Sequence, residues 1–230
     1  MRTTAFTALV ALVFGFAGAG LWSLSGLGEA RTRAWLVANP DILPAMAAAL
    51  ERREGEARLA DLGGAVTQPF PGAVLGNPAG TRTLVKFTDY GCTYCRSSER
   101  DVQRLIAGDP QLRVVVREWP IFDGSEDAAR MALAAAQQGK YPAFYKAMFA
   151  GGQPSPAAIA RAAEVAGLDI ARARTFAASD AVASELAQNT QLARTLGFTG
   201  TPAWVAQGRI VEGAVGHDAL KAALEGKQPA

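Results

Sequence analysis

Hydrophobic positions divide the chain into an apolar start, a helical stretch and a mixed region of strands and helices. Residues 5–22 are uncharged and mostly apolar. Over residues 29–60, apolar positions recur beside a charged face, which predicts amphipathic helix. The apolar and β-branched runs at 83–88 and 113–118 predict two buried strands.

The pattern around these two strands predicts a small sheet interrupted by helices. Residues 92–106 have a helical pattern directly after the first strand. Residues 124–196 are helical throughout, and two short apolar runs at 203–206 and 209–211 flank a Gln-Gly turn, which predicts a hairpin. A last helix is expected over 216–224. The predicted order is strand, helix, strand, helical block, hairpin, helix.

The apolar start predicts export from the cytoplasm. Its length, about 18 residues, is just enough to span a membrane, and Trp22 at its end suits a membrane interface. These features favour an uncleaved anchor over residues 5–22. The small residues Ala17-Gly18-Ala19 offer a cleavage site, so a removed signal peptide is the alternative. In both cases the rest of the chain is expected outside the cytoplasm, in a periplasm-like compartment.

These patterns divide the chain into three segments. Residues 1–28 form the signal-anchor or signal peptide with a hinge, and residues 29–62 form a helical extension. The extension is too short for its own core, so it is expected to be a spacer, a helix packed on the main domain, or an oligomerisation element. Residues 63–230 form the main domain, with a helical insertion at about 124–190.

Composition adds little about function. The chain has 230 residues, half of them apolar, which is enough to bury a full core. Its 23 Lys and Arg residues nearly balance its 21 Asp and Glu residues, for a net charge of +2. So small a net charge gives no reason to expect nucleic acid as a partner.

Cysteine usage is more informative, because Cys92 and Cys95 are the only two cysteines. Three residues apart on a helix, they share one face and lie close enough for a disulfide. A bond that closes so short a loop stabilises a fold by roughly 2 kcal/mol at most, so a structural role is disfavoured. A metal site would need more soft ligands, and the chain has a single histidine, His217. Redox chemistry is therefore favoured, with metal binding and a structural pair as alternatives.

Three motifs in the main domain match one known family. They lie at residues 85–95, at 200–202 (Gly-Thr-Pro) and at 208–216. Together with the order of elements, they resemble the DsbA-like thiol–disulfide oxidoreductase family of the thioredoxin superfamily, over roughly residues 35–226. Residues 39–43 are similar to the N-terminal extension of its Com1- and ScsC-like branch. The resemblance implies an α/β thioredoxin fold with an inserted all-helical subdomain.

The resemblance also implies roles for the cysteines and for a proline loop. At a helix N-terminus, Cys92 meets unpaired N–H groups and the positive end of the helix dipole, which favour its thiolate. Cys92 is therefore expected to be the attacking and leaving sulfur, and Cys95 the resolving thiol. Pro202 is expected in cis, with the Thr201 backbone beside the sulfurs. No metal or cofactor is expected other than the redox-active Cys92–Cys95 disulfide.

Several residues near the cysteines depart from the family pattern. Thr93 and Tyr94 stand where strongly oxidising members have Pro-His. Lys86 stands where related enzymes often have a buried acid, and its amine either reaches the sulfurs or points outward. Glu118 is expected to be a solvated carboxylate at a strand end, with a proton carrier as the alternative. His217 is expected to serve the N-terminus of the last helix.

The sequence thus predicts a thiol–disulfide oxidoreductase that acts on unfolded or misfolded exported proteins. A membrane redox partner is expected to reoxidise or reduce its site, and oligomerisation through residues 29–62 is left open. A disulfide donor, or oxidase, is favoured over an isomerase or reductase of the same fold. A Cu(I)-binding envelope protein is the alternative from another class.

Overall fold

The computed structural model describes residues 2–24 and 27–227, which fall into two compact units, and the boundary between them in the sequence follows Glu51. The first unit contains helices α1 (Arg2–Leu24) and α2 (Leu27–Ala38) and the start of α3 (Leu43–Leu62). Within the described ranges, no helix is both long and apolar enough to cross a membrane. The structure therefore does not support the membrane segment predicted over residues 5–22.

The helices of the first unit carry exposed apolar side chains. On α3, Leu43, Met46 and Leu50 are all at least half exposed, as is Trp35 on α2. The spacing of the three α3 residues places them near one face of that helix. Oligomerisation through residues 29–62 stays a prediction, since no second copy is present.

The second unit is built on a five-stranded sheet in the order β1-β3-β2-β4-β5. Strands β2 and β3 are parallel and all other neighbours are antiparallel. Helix α4 connects β2 to β3, five helices lie between β3 and β4, and α10 follows β5, as the sequence pattern predicts. The bounds are β1 Val74–Gly76, β2 Arg82–Thr88, α4 Thr93–Gly108, β3 Leu112–Glu118, α5 Ser125–Gln137, α6 Tyr141–Ala150, α7 Pro156–Val165, α8 Ile170–Ala177, α9 Asp180–Leu196, β4 Ala203–Ala206, β5 Arg209–Glu212 and α10 His217–Leu224.

Both faces of the sheet are buried, which explains the continuous apolar runs in β2 and β3. Successive side chains of a strand point to opposite faces. Leu84 and Val114 belong to the larger core, which also includes both cysteines and the helices of the insertion. Val85 and Val115 belong to the smaller core, with residues from the end of α9 and of α3. By the same alternation, Lys86 lies on the cysteine-bearing face of β2.

Candidate active site

Strand β2 leads directly into the site and sets the position of both cysteines. Cys92 is the N-cap residue of α4, and its Sγ accepts a hydrogen bond from the Cys95 backbone N–H at 3.2 Å. The Cys92 Sγ lies 3.1 Å from the Thr201 carbonyl oxygen. Both cysteines are free thiols and both are buried, Cys92 being only 2% exposed. The two sulfur-bearing residues and the Thr201 backbone therefore form one cluster.

The surroundings of Cys92 favour its thiolate. They lower the pKa of Cys92 from 9.0 to about 5, chiefly through the hydrogen bond from the Cys95 side chain, while burial acts in the opposite direction. The Thr201 side chain and the backbone N–H groups of Cys95 and Tyr94 lower it further. Within the described ranges, the buried Thr201 hydroxyl has no hydrogen-bond partner, so it is available to a thiolate. Cys92 is therefore ionised at neutral pH.

The pKa of Cys95 shifts in the opposite direction, upward. Burial, and then its hydrogen bond to Cys92, raise the pKa of Cys95 far above the usual value for a thiol. The positive charge of Lys86 lowers that pKa but does not offset burial. One thiolate beside one protonated thiol is the arrangement in which Cys92 attacks or leaves and Cys95 resolves.

The proline loop faces the cysteines across the end of the sheet. The Thr201–Pro202 peptide bond is cis. The Pro202 carbonyl accepts from the Gly213 N–H at 2.8 Å, and the Gly213 carbonyl accepts from the Trp204 indole at 2.9 Å. These bonds link the loop to the turn after β5, so strand pairing holds the Thr201 carbonyl next to Cys92.

The residues between the cysteines lie at the surface. Thr93 and Tyr94 begin α4 with their side chains outward, and Tyr94 is 67% exposed. The direct effect of Tyr94 on Cys92 comes from its backbone N–H.

Lys86 points into the core and not outward. Its ammonium is fully buried, forms an ion pair with Glu99 and donates to the Tyr145 hydroxyl at 2.9 Å. It also lies 5.3 Å from the ring centres of Phe149 and Trp204. Sequence reasoning missed Glu99, although its position four residues after Cys95 on the same helix was a usable signal.

The prediction that Glu118 is a solvated carboxylate at a strand end is wrong, because the residue is fully buried. Its Oε1 accepts hydrogen bonds from Tyr90 at 2.9 Å and from Tyr141 at 2.7 Å. Burial raises the pKa of Glu118 to about 8, more than these two hydrogen bonds lower it. The carboxyl group is therefore largely protonated at neutral pH.

Asp89 shapes the loop between β2 and α4. One carboxylate oxygen accepts from the Gly91 N–H at 2.6 Å, and the other accepts from the N–H groups of Ile121 at 2.6 Å and Phe122 at 2.9 Å. A Cβ on Gly91 would lie 2.7 Å from the Ser125 hydroxyl, so the loop leaves little room for a side chain there. Asp89 thereby ties the cysteine loop to the segment after β3.

Replacing Asp89 by alanine should therefore destabilise the protein. Three backbone N–H groups would lose a charged acceptor, and we expect the free energy of unfolding to fall by about 3 kcal/mol. Urea unfolding measures this change. Asp123→Ala removes an exposed carboxylate from the neighbouring loop and should change stability by less than about 0.5 kcal/mol. Equal effects of the two substitutions would show that the Asp89 bonds contribute nothing.

His217 lies away from the cysteines, at the start of α10. Its Nδ1 is 2.7 Å from the Asp218 carboxylate. Among residues 2–24 and 27–227, no group of three or more His, Cys, Asp or Glu side chains is placed to hold a metal ion.

Several solved structures share the fold of this chain. A thioredoxin-like oxidoreductase from Silicibacter pomeroyi DSS-3 is 41% identical, with a TM-score of 0.65 over 70% of this chain and 93% of that chain. A linker-deletion mutant of Proteus mirabilis ScsC is 24% identical, with a TM-score of 0.70 over 86% and 92%. A periplasmic thioredoxin-like protein from Salmonella enterica serovar Typhimurium is 25% identical, with a TM-score of 0.63 over 71% and 93%.

Curated proteins match a shorter part of the chain. Na(+)/H(+) antiporter NhaA 3 from Salinispora tropica is 32% identical over 146 residues, which are 62% of this chain and 22% of the antiporter. The chain thus spans about a fifth of the length of the curated relatives it matches.

The family model of the DSBA-like thioredoxin domain matches residues 83–225, from β2 to the last helix. The α/β fold is therefore thioredoxin-like, and the chain belongs to the DsbA-like family, as its motifs predict.

Proposed function

We propose that this protein is a thiol–disulfide oxidase that donates the Cys92–Cys95 disulfide to exported proteins. The observation that carries the proposal is the difference between the two thiols, with the pKa of Cys92 lowered to about 5 and that of Cys95 raised. An ionised Cys92 stabilises the reduced pair at neutral pH. The oxidised pair is correspondingly easier to reduce, which favours a disulfide donor over a reductase.

The reaction balances as two exchanges at sulfur. A client thiolate attacks Cys92 in the oxidised pair; the Cys92–Cys95 bond breaks, and Cys95 leaves as a thiolate that takes up a proton. A second client thiolate then attacks the client sulfur of this mixed disulfide, forming the client disulfide and releasing Cys92 as a thiolate. The low pKa of Cys92 makes it a good leaving group in this second step. The client loses two electrons and the cysteine pair gains them.

Reaction outside the cytoplasm follows from the same chemistry, because disulfides persist there. The apolar run at 5–22 supports export. One structural relative is described as periplasmic. The clients would be unfolded exported proteins with free thiols, and a membrane redox partner would reoxidise the reduced pair. Labelling of the cysteines in intact cells by a membrane-impermeant thiol reagent, after reduction of the pair by a membrane-impermeant reductant, tests this location. Full protection in intact cells, with labelling after the same treatment of lysed cells, would exclude it.

The reduction potential of the Cys92–Cys95 pair tests the direction of transfer. Thioredoxin combines a cysteine pKa of about 7 with about −270 mV, and DsbA combines about 3.5 with about −120 mV. A pKa near 5 lies between them, so we expect roughly −180 mV. Equilibration with glutathione redox buffers measures the potential, and the ultraviolet absorbance of the thiolate should titrate with a midpoint near pH 5.

Two results would contradict the oxidase assignment. A potential near about −270 mV would make the pair a reductant and favour the reductase or isomerase alternative. A Cys92 thiolate that titrates near the ordinary value of 9.0 would remove the observation on which the assignment rests. The Cys92→Ser variant is the control for the absorbance signal, since it lacks the ionising thiol.

A further inference from the structure

The helical insertion contains a groove that the exchange steps above do not use. Its volume is about 610 Å³, which is typical of a ligand-binding pocket. One face each of α5, α7 and α8 lines it, and most of the lining is apolar. The apolar lining includes Met131 of α5, Ile159 and Ala163 of α7, and Ile170 and Ala177 of α8. Unlike the two cores, the groove is open to solvent, and Ile170 is 36% exposed.

The charged residues at the groove carry both signs. Arg130 is already paired, since it forms an ion pair with Glu126 at 2.7 Å and donates to the Ala177 carbonyl at 3.2 Å. The charged lining residues without an ion pair among the described residues are Asp127, Glu164 and Arg174. The two carboxylates would repel an anion such as a lipid headgroup, and the guanidinium would repel a cation. A neutral, apolar stretch of polypeptide fits this mixture of charges better.

One end of the groove lies next to the cysteine loop. Helix α5 begins at Ser125, whose hydroxyl accepts a hydrogen bond from the Gly91 N–H at 3.2 Å, and Gly91 directly precedes Cys92. Asp127, in the same first turn of α5, lines the groove. Met131 is about 9 Å from Ser125 along the helix, a distance that about three extended residues span. A client segment a few residues from a cysteine bound to Cys92 is therefore long enough to reach the groove.

The wall formed by α7 is also tied to the cysteine helix. Arg96 of α4 donates to the carbonyl oxygens of Phe149 and Gly152. The chain then enters α7, whose first residue, Pro156, lines the groove. Hydrogen bonds thus hold the starts of both α5 and α7 against the segment that carries the cysteines.

We propose that this groove, between α5, α7 and α8, binds an apolar segment of the client while a client cysteine exchanges with Cys92. The inference rests on thiol–disulfide exchange at Cys92 and Cys95, but not on the direction of that exchange. An unfolded client exposes apolar residues that a folded protein buries. Binding of such residues in the groove raises the effective concentration of the client thiol at Cys92, so the groove selects clients that are still unfolded.

Peptides with a single cysteine test this selection on the full chain with its cysteine pair oxidised. One peptide has leucines at about four to eight positions from the cysteine on both sides, and its counterpart has serines there, with the same net charge. The peptide thiolate bonds to the Cys92 sulfur, and the Cys95 sulfur leaves and takes up a proton. Acid quenching and mass spectrometry give the second-order rate of this step. The wild type should react at least about fivefold faster with the leucine peptide, since even one methylene group in an apolar pocket discriminates about tenfold.

A charge placed in the groove should abolish this preference. Ala160 of α7 lines the groove and is exposed, so Ala160→Glu puts a carboxylate among the apolar side chains. We expect the ratio of the leucine rate to the serine rate to fall to within about twofold of one. Ala183→Glu, the same exchange at an exposed position of α9 outside the groove, should keep the wild-type ratio. Because each ratio is taken within one variant, a loss of folded protein lowers both rates and leaves the ratio unchanged.

The outcomes separate the groove from the proposed function. A wild type that reacts with neither peptide would refute thiol–disulfide exchange itself. A wild type that reacts with both peptides at the same rate would refute the groove alone, and so would a leucine preference that Ala160→Glu retains. A preference that is lost in Ala160→Glu and kept in Ala183→Glu would establish the groove as the site that binds the client.

Discussion

Cys92→Ala is expected to abolish disulfide transfer, whereas Cys95→Ala is expected to trap clients on the protein. Cys92 is the ionised sulfur beside the Thr201 carbonyl, so its loss removes the atom through which every exchange passes. Without Cys95, Cys92 still forms a mixed disulfide when an oxidant is present, but no internal thiol remains to release it. Release then depends on a second client thiol alone, so the complex persists longer than with the wild type. The hydrogen bond from the Cys95 side chain is also the largest cause of the low Cys92 pKa, so that pKa should rise in Cys95→Ala.

Incubation with a reduced, unfolded client that contains several thiols, with oxidised glutathione as the oxidant, distinguishes the two variants. Non-reducing electrophoresis should show a covalent client complex with Cys95→Ala and none with Cys92→Ala, and only the wild type should form client disulfides repeatedly. Ser97→Ala changes an exposed side chain on the same helix and should retain full turnover. If the two cysteine variants behaved alike, the assignment of attacking and resolving roles would be wrong.

The strands, the helix and the proline loop that form the site could be predicted, because a short continuous stretch of sequence marks each of them. The apolar runs of β2 and β3 reflect burial on both sheet faces, and the cysteine spacing identifies the first turn of α4 whatever packs around it. The Gly-Thr-Pro motif at 200–202 added the loop that faces the cysteines. Each of these signals spans fewer than about ten residues, so no knowledge of tertiary contacts was needed.

The electrostatics of the site were not predictable in the same way, because they depend on residues that meet only in the fold. Glu118 looked like a solvated strand end, since nothing near it in the sequence marks it as buried. Tyr141, which donates to it, comes from the helical insertion, and Tyr90 comes from the cysteine loop. Lys86 likewise finds Glu99 across the sheet–helix interface. Spacing can suggest such pairs, but only packing decides which of them form.

Glu118 should make the stability of the protein fall as pH rises. The pKa of its carboxyl is about 8 in the folded protein, against an ordinary value of 4.5 that is expected in the unfolded chain. Between these values the folded state holds a proton that the unfolded state has lost. The contribution is therefore fully present below pH 4.5, declines as pH increases, and is lost once pH passes 8. The difference corresponds to about 4 kcal/mol by pH 8.

Glu118→Gln should remove this dependence, because glutamine keeps an acceptor oxygen for Tyr90 and Tyr141 but does not ionise. Urea unfolding at several pH values from 5 to 8 measures it, with the Cys92–Cys95 pair oxidised so that neither thiol titrates. We expect wild-type stability to drop by a few kcal/mol over that range and the Glu118→Gln profile to be much flatter. Glu164→Gln, which changes an exposed carboxylate, should keep the wild-type slope. A Glu118→Gln profile parallel to wild type would mean that Glu118 is not the group that binds the extra proton.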